Sequence, residues 1–96
     1  MRTIWKQELE IQDLQNVTAP RGATLLAMRN QRERPTIWFL CDPKEPMVKL
    51  GRLRLIGTGH ETAMLDEPGW TYLGTDLFDG GDLVLHAFFF PGDMPQ

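Results

Sequence analysis

Clusters of turn-forming residues separate this chain into short β-branched or aromatic runs, and they constrain the fold more than any other feature. "APRG" at 19–22, "NQRERP" at 30–35, "DPKEP" at 42–46, "DEPG" at 66–69 and "DGGD" at 79–82 combine Pro, Gly, Asp and Asn where a chain reverses. Between and beside them lie the β-branched or aromatic runs 3–9, 23–29, 36–42, 48–57, 69–78 and 82–90. Only Glu61 to Leu65 suits a helical turn, and Asp66–Gly69 ends it before a second one. The expectation is an all-β fold with little helix. About six short strands would form a small antiparallel sandwich or part-open barrel in a single domain, 1–96. Parallel strands would need helical crossovers that this spacing leaves no room for.

The last two runs make the sharpest local expectation. Asp79, Gly80 and Gly81 accept positive φ between 69–78 and 82–90, which predicts an antiparallel hairpin. In the final run Leu83, Leu85, Ala87 and Phe89 fall on one side, and Val84, His86, Phe88 and Phe90 on the other. A strand that is apolar on both sides is either central or at an interface, and with so small a core a homo-oligomer, most simply a dimer, is expected.

Charge is unevenly spread. All ten Lys and Arg lie in residues 1–54 beside six acids, a balance of +4, whereas 55–96 holds seven acids and no base, a balance of −7. The two halves attract each other, and the fold either intermixes these charges into neutral, solvated faces or leaves a basic patch. An overall charge of −3 lacks the basic excess of a general DNA- or RNA-binding domain. No run approaches the roughly 18 apolar residues of a membrane helix, and "MRTIWKQELE" is unlike a secretory leader, so the cytoplasm is the expected compartment. The single cysteine, Cys41, closes an apolar run and reads as a buried, inert thiol.

Familiar catalytic signatures are missing. "GTGHET" at 57–62 places Thr62 where a dinucleotide fingerprint needs its third glycine, and no Gly-Lys-Ser or Gly-Lys-Thr follows for a phosphate loop. The chain contains no serine, which removes serine hydrolases. His60 and His86 share no ligand spacing with Cys41 or Glu61, so neither a metal nor another cofactor is expected, and no catalytic residue is assigned. Gly57, Thr58, Gly59 and His60 remain as either a plain turn or an anion-binding loop, because glycines free backbone N–H groups to converge on a negative charge. Arg52 and Arg54 could pair with phosphate, Tyr72 or Trp38 could stack on a base, and His86 completes the candidate ligand-binding set.

"IWK" near the start, "PRGA" at 20–23, "WFLCDP" at 38–43, "GTGH" at 57–60, "YLGT" at 72–75 and "LVLHAF" at 83–88 follow one another along the whole chain. In this order, and above all in its GTGH, YxGT and LVxH elements, the chain resembles a small uncharacterised family of tailed-bacteriophage and prophage proteins. The resemblance implies a phage accessory protein made in the bacterial host cytoplasm, interfering with host processes or defence. Three functions stay open. These are a non-enzymatic binder that sequesters a small anionic, nucleotide-like ligand, a protein-interaction module that inhibits a host protein, and a small enzyme using His60 or His86 as a general base.

Overall fold

The computed structural model describes residues 1–92, which form seven strands in two antiparallel sheets. In chain order they are β1 (Thr3–Glu8), β2 (Leu14–Pro20), β3 (Thr24–Gln31), β4 (Arg34–Cys41), β5 (Met47–Gly57), β6 (Thr71–Phe78) and β7 (Leu83–Pro91). One sheet has the order β1-β4-β3 and the other β2-β5-β7-β6. Together they make an unclosed sandwich. Among the described residues, helical structure is confined to 3-10 turns at Ala63–Asp66 and Asp79–Gly81. No helix among the described residues is long and apolar enough to cross a membrane.

Where about six strands were expected, the described residues form seven. The additional strand, β2, carries the polar sequence "LQNVTAP". It alternates, but only Val17 and the small Ala19 supply its alternating buried apolar positions, and a bulge at Val17/Thr18 shifts its register on β5. Its apolar signal is thus shorter than a strand.

The core lies between the sheets. Met28 and Ile37 from one side meet Val17, Leu53, Phe78 and Ala87 from the other, each 1 % exposed or less. Burying the larger of these side chains, all but Ala87, contributes roughly 1.5–3 kcal/mol each. β7 is central in its sheet, between β5 and β6, so its two apolar rows have different neighbours. Leu85 and Ala87 face the core, while Phe88 and Phe90 lie on the outer face, where Tyr72 and Trp70 touch them at ring-centroid distances of 5.4 and 5.3 Å.

Side chains, rather than a backbone ladder, stitch the two sheets along the β3 and β6 edges. Asn30 N–H donates to Asp76 Oδ2 at 2.8 Å, Arg29 Nε donates to the same oxygen at 3.2 Å, and Asn30 Nδ2 donates to the Leu77 carbonyl at 2.6 Å. The backbone N–H groups of Asn30 and Leu77, with Arg29 beside them, hold the Asp76 carboxyl below its ordinary pKa against the opposing effect of burial. Close approach at this seam needs Gly74, since a Cβ there would sit 2.7 Å from the Met28 carbonyl oxygen.

The expected hairpin is present. β6 and β7 pair from Phe78↔Leu83, and Asp79, Gly80 and Gly81 have φ of 53, 65 and 101°. The β3–β4 hairpin turns through Arg32 and Glu33, both at positive φ (56 and 67°), a geometry usually given to Asn and Gly. Bonds hold it in place: Glu33 N–H donates to Asn30 Oδ1 at 2.8 Å, and the Glu33 carboxylate accepts the Asp79 N–H of the other hairpin.

Candidate functional site

The GTGH segment forms a tight turn at the end of β5. His60 N–H donates to the Gly57 carbonyl at 3.1 Å, which leaves Thr58 and Gly59 as the central residues. Gly59 takes φ 87°, as a type II turn requires at its third residue. With its N–H engaged inside the turn, His60 has only its side chain to offer a ligand. That ring is exposed and packs over Gly57, where a Cβ would meet Cε1 at 3.0 Å. Gly57 therefore makes room for the imidazole.

The His60 ring separates two depressions. The larger, of about 640 Å³, is lined by Leu55, Met64, Leu83 and Leu85, with Asp13 and Glu61 at its rim. The smaller, of about 240 Å³, lies on the outer side beneath the turn. Gly57, Thr58, Gly59, His60 and His86 all line it, together with Phe88 and Leu65. Five of the nine residues singled out in the sequence thus meet at one place.

His86 is fixed through both ring nitrogens. Its position opposite Ile56 on β5 and Thr75 on β6 sets its side chain on the outer face. Nε2 lies 2.7 Å from Thr58 Oγ1, and Nδ1 lies 2.9 Å from Thr75 Oγ1, which also bonds the Tyr72 hydroxyl. The result is a polar chain, Tyr72–Thr75–His86–Thr58, across three elements. When Thr75 donates to Nδ1, the Nε2–H donates to Thr58 and leaves the Thr58 hydroxyl proton free to point into the depression.

Arg54 and Arg52 share this outer face one and two rungs further along β5, opposite Phe88 and Phe90. Arg54 Nη1 donates to Asp13 Oδ2 at 2.9 Å, and its guanidinium lies 5.9 Å from the centre of the Trp70 ring, a cation–π contact. Its Nε is buried without a partner, as is that of Arg52. No carboxylate lies within ion-pair distance of Arg52 among the described residues. Tyr72 is 57 % exposed, with its ring tilted on Phe88, so an open aromatic surface borders the depression.

Trp38 stands apart. It belongs to β4 in the other sheet, on the side opposite buried Ile37 and Phe39, and does not join this group. Sequence reasoning missed Thr75, Phe88, Trp70 and Asp13. Thr75 was within reach of it, because a hairpin closed by Phe78 and Leu83 puts Thr75 opposite His86 by counting back along both strands. Cys41 is buried, at 1 % exposure. Among the described residues no three His, Cys, Asp or Glu side chains gather as metal ligands would.

Fold and site together define a small two-sheet β protein with a histidine–threonine depression beneath a glycine turn. A family model described as a domain of unknown function, DUF7352, matches residues 1–94, and the chain belongs to that family. No curated protein and no solved structure matches it.

Proposed function

We propose that this chain is a non-enzymatic binding protein that captures a small anionic, nucleotide-like ligand at the outer-face depression. The observation that carries this reading is the convergence of Thr58, His60 and His86 on one depression bordered by exposed Tyr72. About 240 Å³ falls below the roughly 300–1,000 Å³ of sites that enclose a whole small molecule, so the depression takes the charged group and leaves the rest outside. A phosphoryl group would accept hydrogen bonds from the Thr58 hydroxyl and the His60 ring, while a base lies on Tyr72 beside Phe88. Arg52, on the same face and without a carboxylate at ion-pair distance among the described residues, adds positive charge, whereas that of Arg54 is met by Asp13. The larger depression suits an anion less well, since Asp13 and Glu61 stand at its rim.

Binding is favoured over catalysis by His86 itself. With Thr75 donating to Nδ1, His86 carries its proton on Nε2 and donates it to Thr58, so neither ring nitrogen has a lone pair left to take up a proton. His60 is exposed, but the neighbouring Glu61 carboxylate accepts the Ala63 N–H rather than orienting the imidazole. Resemblance to phage and prophage proteins supports a setting in the bacterial host cytoplasm, where holding a nucleotide signal would counter host defence.

Calorimetric titration with ADP, AMP, inorganic phosphate and adenosine tests the proposal. The expected order is nucleotides first, then phosphate, with adenosine weakest. Absence of binding by both nucleotides and phosphate at millimolar concentration overturns it, and so does turnover of the nucleotide during the titration.

A further inference from the structure

β1 is an edge strand with one side unpaired, and its register says which backbone groups are free. Leu9 N–H donates to the Pro35 carbonyl at 2.8 Å, and the β1–β4 ladder runs without a shift from Glu8↔Thr36 to Thr3↔Cys41. Hydrogen-bonded and non-bonded pairs alternate in an antiparallel ladder, so Gln7, Trp5 and Thr3 bond to β4 as Leu9 does. The N–H and C=O groups of Ile4, Lys6 and Glu8 therefore point out from the free edge. Nothing in the sequence blunts this edge with proline, and Ile4 and Trp5 on it are 57 and 40 % exposed.

We infer that two copies of this chain pair through β1, antiparallel, about a two-fold axis at Trp5. Directly opposed residues must lie on the same face, so a symmetric pairing puts a residue, not a gap between residues, on the axis. With Ile4 on the axis, Lys6 would face the partner's Arg2, and with Lys6 on the axis two lysines would meet. Both oppose like charges, which is destabilising. With Trp5 on the axis, Arg2 faces the partner's Glu8, Ile4 faces the stem of the partner's Lys6, and Thr3 faces the partner's Gln7. Each outward N–H and C=O at Ile4 and Lys6 then has a ladder partner. The inner-face pairing of Thr3 with Gln7 also brings a hydroxyl beside a residue whose Oε1 is buried without a hydrogen bond. The two Trp5 rings meet as a non-hydrogen-bonded pair, the closer of the two pair types.

The product is a continuous six-stranded sheet, β3-β4-β1 followed by its symmetry copy. One strand edge and two indoles make a contact at the small end of specific interfaces, below about 1,200 Å², so the dimer dissociates on dilution. It leaves the depression beneath the GTGH turn uncovered, because that site belongs to the other sheet.

Sedimentation of the full chain from roughly 1 µM to roughly 0.5 mM, the range of weak self-association, tests the pairing. Wild type should pass from monomer to dimer, and Ile4→Pro should stay monomeric with an unchanged circular dichroism spectrum, since the lost N–H bonds nothing within its own chain. Glu8→Arg should weaken dimerisation at least ten-fold, and Arg2→Glu added to it should restore it. Under mild oxidation Trp5→Cys should cross-link into a disulfide dimer. A monomeric wild type throughout, a dimeric Ile4→Pro, failure of the charge swap to rescue, or cross-linking by Ile4→Cys in place of Trp5→Cys each overturns the inference.

Discussion

Asp76 on β6 accepts the backbone N–H of Asn30 on β3 at 2.8 Å, and through this bond the edge of one sheet is fastened to the edge of the other. The same carboxylate accepts the Leu77 N–H at 2.8 Å through its second oxygen, so both oxygens are committed to the backbone. An aspartate in this position acts as a substitute for a ladder that the two strands do not form.

Replacing Asp76 by Asn puts an amide NH₂ against one of those N–H donors. We expect Asp76→Asn to lower unfolding free energy at neutral pH by roughly 1–3 kcal/mol, the cost of leaving one such group unsatisfied. The wild-type pH dependence has a definite sign. A carboxylate whose folded pKa lies below its unfolded value of about 3.9 stabilises the fold fully above about pH 5 and loses that contribution as pH falls through the lowered value. Urea unfolding between pH 7 and pH 2.5 should therefore show a steeper acid decline in wild type than in Asp76→Asn. Parallel curves would mean that the seam does not depend on this charge.

Gly74 gives the seam a second test. It has φ 149°, and a Cβ would lie 2.7 Å from the Met28 carbonyl oxygen, which belongs to backbone and cannot swing aside. Gly74→Ala should destabilise by at least about 2 kcal/mol, combining backbone strain with the clash. Gly80 also has positive φ, at 65°, but nothing lies within 4 Å of its missing Cβ. The strain alone predicts a loss of about 1 kcal/mol for Gly80→Ala. Equal losses in thermal or urea melts would show that contact at the seam contributes nothing.

How far the sequence could be read follows from how local each signal is. The β6–β7 hairpin was legible because Asp79-Gly80-Gly81 and the runs beside it lie in one stretch, and so was the all-β class. β2 was not, since an edge strand needs few apolar side chains and "LQNVTAP" has little besides Val17 and Ala19. Gly57–His60 and His86, both named from the sequence, line one depression because the two segments carry polar groups at the same end of neighbouring strands. Trp38 was grouped with them on ring chemistry alone, and the choice of sheet depends on long-range pairing that no local pattern reveals.

Gly57 and His60 should behave as one unit. Gly57 has an ordinary strand backbone, so alanine is permitted by φ, but its Cβ would press on the His60 ring at 3.0 Å. We expect Gly57→Ala to push the imidazole out of place and weaken ADP binding several-fold while leaving the melting temperature within a few degrees, about 1 kcal/mol or less. His60→Ala should weaken binding to the same degree, and the double variant should be no worse than either single one, as coupled positions are non-additive. Additive losses in calorimetry would separate the two roles.

Thr75 carries the last prediction, because it does not line the depression yet determines what His86 can do there. Its hydroxyl lies between the Tyr72 hydroxyl and His86 Nδ1, while Nε2 meets Thr58. When Tyr72 donates to Thr75 and Thr75 to Nδ1, the imidazole carries its proton on Nε2 and gives it to Thr58, whose own proton then faces the ligand. Reversing the chain turns the Thr58 proton toward His86 and away from the anion. Thr75→Val keeps the shape of the side chain but removes the donor to Nδ1, so the tautomer that frees Thr58 loses its support. Binding of ADP should weaken about three- to ten-fold, in keeping with the roughly 0.5–1.5 kcal/mol of one ordinary hydrogen bond, and Thr75→Ser should restore it. Nitrogen-15 spectra of the His86 ring provide the direct readout, with the Nε2–H form dominant in wild type and diminished in Thr75→Val. If the tautomer and the affinity are both unchanged in Thr75→Val, the polar chain only braces the sheet.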